Sequence, residues 1–386
     1  MTIDRLWMEA VLIDLLRADT QVPLGETEIL PGDSRIMRTI DNVLIPRIEE
    51  LHPDEVRRHA KGDVAARFGP AGDDGLLIQT YVVSQHANLM EDPNAGTITD
   101  GAPYSLQGRC GVGRGATQNK GPMASAFAAV RSMPRDAQRP VWLSVNTEGR
   151  SSHGGSHRVI TDLGLPVAHG IIAFGTDLGV SLGNRGRVDL RVTVPGRSCH
   201  SSQPWLGENP IEGAADVIQA LRTVSLPEAH PDLGHVTITP YQFSCFPVAP
   251  HTIPERVDIT VDRRLLPGET PEVAGDELRA HLSDARLNVE IQEGAWMLPA
   301  AVEPDEPVVG YLLEGVERQG REARTFWSPN TFDAGYACSL GIPTPMFGPG
   351  KREFKGEGLM GTDAVSVDDC EVAAGSLLHA AEMICT

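Results

Sequence analysis

Gly113-Arg-Gly-Ala-Thr-Gln-Asn-Lys-Gly-Pro122 is the stretch whose reading decides the fold. A Gly-x-Gly turn, a polar cluster and a Lys-Gly pair run directly into a small-residue segment, 123–130, that predicts a helix. Such a run reads as a strand-to-helix corner carrying a site. Before it, 76–83 is an apolar strand ending in Ser84-Gln85-His86-Ala87-Asn88, followed by a polar loop over 91–108. After it come a helix over 122–132 and a strand over 141–145 that ends in Asn146-Thr147-Glu148-Gly149. Residues 170–174 read as another buried strand, and amphipathic helices are predicted over 3–17 and 34–51, the second capped by Ser34. Strands alternating with helices, with polar residues at the strand ends, predict an α/β domain. Its central sheet is mostly parallel and flanked by helices, and the site lies at the carboxyl edge.

The pattern changes after Arg185. Residues 188–194 alternate as a half-buried strand, and 209–224 form a helix entered through Asn-Pro. Strands over 236–245 and 256–264, a helix over 270–285 and a strand over 288–292 complete a βαββαβ unit of the split, ferredoxin-like kind. The expected division is an α/β domain of 1–183 and 298–386, interrupted by a smaller domain at 184–297. The later α/β part contains a helix over 306–319, a strand over 343–347 and a final helix over 368–384.

A chain of 386 residues has length for two domains and a large core. Its net charge of −19, with no run of Lys or Arg to offset it, argues against nucleic acid and anionic membrane surfaces. Six scattered cysteines without a C-x-x-C pair read as reduced thiols in a cytoplasmic protein. No signal peptide is read at the N-terminus, and no stretch has the apolar length of a membrane span.

Five signposts stand in order along the chain. They are Gly-Arg-Gly-Ala-x-x-x-Lys-Gly at 113–121, Gly196-x-x-x-His200-Ser-Ser, Asn209-Pro-Ile, Asp262-x-Arg264-x-x-Pro267-Gly268, and Gly-Ile-Pro…Phe-Gly-Pro-Gly at 341–350. Together they resemble the dizinc amidohydrolases: aminoacylase, acetylornithine deacetylase, succinyl-diaminopimelate desuccinylase and carboxypeptidase G. The resemblance covers nearly the whole chain and implies that the inserted domain is a lid through which homodimers form. A lid strand at 188–194 left as an exposed sheet edge would favour the same pairing.

The resemblance also implies a ligand set, and here the chain departs from it. The family's His-x-Asp reads His86-Ala87-Asn88, its bridging aspartate is Gln118, and its Glu-Glu pair is Thr147-Glu148. The fourth ligand falls at Phe174, with Asp177 as a nearby substitute, and the last histidine falls at Met360. Only His86 and Glu148 remain as ligand-type residues, too few for a dizinc site. No cofactor is therefore expected, although the family uses zinc. A single zinc would need recruits such as His153, His157 or Cys110.

What the resemblance retains is substrate apparatus. His200 matches the lid histidine that polarises the scissile carbonyl in the neighbouring subunit's site, and Arg264 matches the arginine that grips a substrate carboxylate. Asn209 and His251 belong to the same lid motifs, with His251 standing where the family commonly has asparagine. Gly348 and Gly350 flank a turn able to offer N–H groups to an anion. Glu148-Gly-Arg-Ser-Ser-His-Gly-Gly-Ser-His157 offers Ser151 or Ser152 as nucleophile, His153 or His157 as base and Arg150 as an anion ligand. Lys120, beside Gln118, is a candidate acid/base or substrate ligand, and Cys110 a candidate reactive thiol.

The expectation is an enzyme acting on a C–N bond of a small carboxylate-bearing amide, imide or N-acyl amino acid. It would use His86, Glu148, His200, Gln118 and Lys120 and work without the dizinc centre. The alternatives are a catalytically silent binding homologue and a single-zinc hydrolase.

Overall fold

The alternation of apolar strands and helices resolves, in a computed structural model, into a nine-stranded sheet. The structure describes residues 2–23, 29–85, 90–148, 152–285, 287–350 and 363–386. The centre of the sheet is parallel: Val141–Asn146, Gly75–Tyr81, Val167–Ala173 and Met346–Phe347 lie side by side. Its flanks are antiparallel, with Glu55–Arg58 and Val64–Phe68 on one side and Val180–Asn184 on the other. Gly75–Tyr81 and Val141–Asn146 are buried along their whole length, so they read as continuous apolar runs rather than alternating ones.

Helices Arg5–Arg17, Gly121–Arg131, Pro307–Arg318 and Val367–Cys385 pack on this core through Leu12, Leu16, Phe127, Leu312 and Leu377. Asp4 caps the first of these helices and Ser366 the last, each accepting a backbone N–H as short polar N-cap residues do. Tyr81, Asn146 and Ala173 close three neighbouring parallel strands at their carboxyl ends. A small antiparallel sheet of Thr97–Asp100, Arg109–Val112 and Ala364–Ser366 ties the segment before the corner to the C-terminal helix.

The chain divides into two compact units: Met1–Gly183 with Ala301–Trp327 and Tyr336–Thr386, and Asn184–Ala300 with Ser328–Gly335. The excursion Ser328–Gly335, read from sequence as part of the α/β domain, thus belongs with the second unit. In that unit four antiparallel strands run in the order Ile238–Phe246, Arg256–Leu265, Gly186–Pro195, Glu290–Met297. Helices Pro210–Leu221 and Pro271–Asp284 bury Val217, Leu221, Leu278 and Leu282 against Val188, Leu190, Val192, Val257 and Ile259. The βαββαβ order and ferredoxin-like strand order are both present.

One expectation is corrected. The strand at 188–194 is not a sheet edge: Gly186–Pro195 is hydrogen-bonded on both sides. In a split βαββαβ unit the first and third strands pair at the centre, which leaves the second and fourth outside. The edges are Ile238–Phe246 and Glu290–Met297.

Candidate functional site

The corner at 113–121 is built from a left-handed glycine and a widened helical turn. Gly115 has φ 88°, and a Cβ there would stand 2.3 Å from Ser84 Oγ, so only glycine lets the chain turn this closely. Ala116–Lys120 then forms a π-helical turn that leads into Gly121–Arg131, a local widening often found at functional sites. Asp363, buried, anchors the turn by accepting from Gly115 N (2.7 Å), Thr117 N (2.9 Å) and Thr117 Oγ1 (2.9 Å). Arg114 joins it at 3.3 Å and donates to the Gln85 carbonyl at 2.9 Å. Burial pushes the Asp363 carboxyl above its ordinary range, against the pull of Thr117 and Arg114.

Gln118 is half-buried, and its backbone carbonyl accepts from Gly175 N at 3.0 Å. Lys120 is corrected as a candidate for contact with substrate. It is 2 % exposed and points into the core, where its Nζ donates to the Ala18 carbonyl at 2.9 Å. Burial lowers its pKa to about 7, against the attraction of Asp363 and Asp19. Cys110 is likewise no reactive thiol: it is fully buried, and burial raises its pKa.

The segment after Val141–Asn146 is held by a buried ion pair absent from the expected site. Asp63 is 0 % exposed and accepts from Thr147 N (2.9 Å) and Thr147 Oγ1 (3.1 Å). Arg158 donates to both oxygens of Asp63, to Thr147 Oγ1 at 3.2 Å and to Glu148 Oε2 at 3.0 Å. Burial works against the Arg158 charge, but Asp63 and Glu148 outweigh it and hold its pKa above the usual arginine range. The other Glu148 oxygen accepts from Ser152 Oγ.

His153 is buried with its ring 5.8 Å from Tyr336. His157 lies 5.6 Å from the same ring and turns Nδ1 to Asp162 at 3.4 Å. Neither is the partner found for Ser152. No sequence signal marks Asp63 or Arg158 beyond their charge, because a lone aspartate after Lys-Gly reads as a turn. His86, Asn88, Arg150, Ser151 and Met360 lie outside the described residues.

In the second unit, the ribbon Cys199–His200 and Thr252–Ile253 brings two candidates together. His200 and His251 stack with ring centroids 6.1 Å apart and planes 25° from parallel. His200 Nδ1 accepts from Ser202 N at 3.2 Å and contacts Ser202 Oγ at 2.8 Å. The neutral ring therefore carries its proton on Nε2 and presents a donor.

Arg264 is held in a fork by Asp262, with Nε 2.8 Å and Nη2 2.9 Å from its oxygens, while Nη1 donates to Thr331 Oγ1 at 2.9 Å. Asn209 is corrected as a substrate residue. Its Oδ1 caps the helix at Ile211 N (3.2 Å) and its Nδ2 donates to Glu212 (3.1 Å), so both ends of the amide serve the helix start. Gly348 is corrected too, because its N–H donates to Thr176 Oγ1 at 3.0 Å and is not presented to an anion. The Gly350 carbonyl accepts from Asp177 N at 2.9 Å, which closes the same turn.

The family's two zinc ions do not fit these donors. Gln118 is a neutral amide and Phe174 a hydrocarbon, while both hydrogen-bonding groups of Thr147 are taken by Asp63. The Glu148 carboxylate is shared by Arg158 and Ser152, and Asp177 pairs with Arg324 at 2.7 Å. Among the described residues, no three His, Cys, Asp or Glu side chains converge on a metal position.

Comparison with known proteins shows what the chain is similar to. Residues 182–290 match a peptidase dimerisation domain of the M20 type. The uncharacterized protein YgeY of Escherichia coli K12 is 24 % identical over 87 % of this chain and 88 % of its own. A succinyl-diaminopimelate desuccinylase of Cupriavidus necator is 28 % identical over 70 % of this chain and 72 % of its own. An M20 family metallo-carboxypeptidase, Sso-CP2 from Sulfolobus solfataricus, shares the fold with a TM-score of 0.75, at 17 % identity and covering 99 % of both chains. Through its dimerisation domain, its relatives and its fold, the chain resembles the M20 amidohydrolase/peptidase family.

Proposed function

We propose that the chain is a hydrolase acting on a C–N bond of a small, carboxylate-bearing amide, imide or N-acyl amino acid, and that it does so without a dizinc centre. The similarity to a peptidase dimerisation domain and to a succinyl-diaminopimelate desuccinylase supports the hydrolase part. The metal-independent part rests on the donor set, in which Gln118 is an amide and the Glu148 oxygens are already engaged by Arg158 and Ser152. His200, fixed as an Nε2 donor by Ser202, is suited to polarise a carbonyl. Arg264, held flat by Asp262, is suited to grip a substrate carboxylate with its remaining N–H groups. A cytoplasmic location accords with the unpaired cysteines.

Turnover of N-acyl amino acids tests this reading. EDTA should leave the rate unchanged. His200→Ala and Arg264→Ala should each cut kcat/KM about tenfold or more; for Arg264, losing one partner of a charge-assisted contact costs on the order of 2–4 kcal/mol. Loss of activity on chelation with recovery on zinc would end the metal-independent reading. Binding without turnover, abolished by Arg264→Ala, would make the chain a binding homologue.

We also propose a homodimer through the second unit. Its outer strand Ile238–Phe246 leaves Phe243 and Phe246 each 49 % exposed, and Val248 just beyond it 90 % exposed. An uncovered apolar edge is a template for pairing with a second copy. Sedimentation at micromolar concentration should give a dimer, and Phe243→Glu should shift it toward monomer. A wild-type monomer would refute the pairing.

A further inference from the structure

We propose that Ser152 is a nucleophile, with Glu148 as its general base and Arg158 as the positioning residue behind the base. The proposal rests on the amidohydrolase reading for its substrate and adds the atom that attacks. Ser152 Oγ accepts from Gly154 N at 3.1 Å and donates its own proton to Glu148 Oε1. The hydroxyl hydrogen is thereby aimed at the carboxylate, while an oxygen lone pair remains for attack.

The opposite carboxylate oxygen, Oε2, takes Arg158 Nη1 at 3.0 Å. Arg158 is held in turn by Asp63, which is fully buried. Nucleophile, base and a group that orients the base thus follow one another in hydrogen-bond contact; unlike the acid of a serine-hydrolase triad, Arg158 fixes the carboxylate without raising its basicity. Ser152 and Glu148 are half-buried and open to solvent on one side, whereas Asp63 and Arg158 are buried beneath them.

Local sequence serves this geometry. A Cβ at Gly154 would lie 2.5 Å from Glu148 Oε2 and 3.0 Å from Arg158 Nη1. Glycine there lets the backbone after Ser152 lie close over the carboxylate without displacing it. A serine that merely capped the following turn would need the Gly154 N–H alone. The bond to Glu148, itself bridged to a buried cation, is what that simpler role leaves unexplained.

In the reaction, Ser152 Oγ attacks the acyl carbon of the C–N bond as its proton passes to Glu148. The tetrahedral adduct collapses with cleavage of the C–N bond, and the leaving nitrogen takes the proton from Glu148. The acyl group remains on Ser152 as an ester. Water then attacks the ester carbon and gives a proton to Glu148. The C–O bond to Ser152 breaks, Oγ recovers the proton, and the carboxylic acid leaves.

The test is labelling of the purified full chain with a fluorophosphonate, which loses fluoride to an activated serine, followed by peptide mass spectrometry. The expected result is an adduct on Ser152, absent in Ser152→Ala. Glu148→Gln should slow labelling on the order of a hundredfold while its unfolding midpoint stays near that of the wild type. No adduct on Ser152, or equal labelling in Glu148→Gln, overturns the proposal and leaves Ser152 a turn-capping hydroxyl. With an amide that is turned over, a burst of amine stoichiometric with enzyme is expected. Wild-type turnover by Ser152→Ala would sink the nucleophile and spare the hydrolase. Labelling of Ser152 without turnover of any carboxylated amide would keep the nucleophile and remove the substrate reading.

Discussion

Arg158→Met is expected to destabilise the α/β unit by about 3–5 kcal/mol, because it leaves a buried carboxylate without its cation. Asp63 is 0 % exposed, and Arg158 is the guanidinium that meets both of its oxygens. Thr147 supplies further donors but no charge. Adding Asp63→Leu removes the orphaned charge, and the double variant should recover part of the loss. Recovery stays incomplete because Thr147 N–H then lacks its acceptor. Denaturant unfolding followed by circular dichroism measures both. Equal losses in the single and double variants would show that the charge of Asp63 is not what the arginine offsets.

Lys120→Met is expected to be more stabilising at neutral pH than at alkaline pH. The Lys120 pKa falls from 10.5 unfolded to about 7 folded, by burial, so between those values the unfolded chain binds the extra proton. Stability contributed by this site therefore rises with pH across that window and is lost as pH falls toward 7. The advantage of the methionine variant should shrink by about 2 kcal/mol in all between pH 7 and pH 9, less steeply near pH 7, where the folded lysine is half protonated. Taking the difference between the two proteins removes the opposing effect of the buried thiols Cys370 and Cys385, whose pKa values burial raises. The variant also abandons the Ala18 carbonyl, which offsets some of the gain at every pH. A pH-independent difference would mean that Lys120 stays charged in the fold.

The first prediction concerns groups that sequence reading did not single out, and the second a lysine it placed at the substrate. Lys120 stands beside Gln118 in the chain. In the π-turn the two residues face different surroundings, and the lysine passes under the corner to Ala18. Glu148 was legible as an acid at a strand end, and Ser152 as one of several hydroxyls. The pairing of the two, and the Asp63–Arg158 support beneath them, joins positions 63, 147, 148, 152 and 158 from separate elements. Nothing local in a sequence registers such convergence.

Most of the secondary elements and the family resemblance were legible in the sequence alone. Apolar periodicity, caps and glycine turns are short-range effects, so the corner at 113–121, the βαββαβ insertion and the parallel strands could be read in order. The chemistry of Gln118, Phe174 and Thr147, an amide, a hydrocarbon and a hydroxyl, was equally readable. Short strands such as Thr97–Asp100 and Ala364–Ser366 escaped notice because they are stabilised by their neighbours in the sheet rather than by their own pattern. Tertiary structure alone decided which strand is an edge, which carboxylate meets which cation and which N–H groups are already used. Those depend on hydrogen bonds and ion pairs between residues far apart in the chain, whose partners are assigned only when the chain has folded.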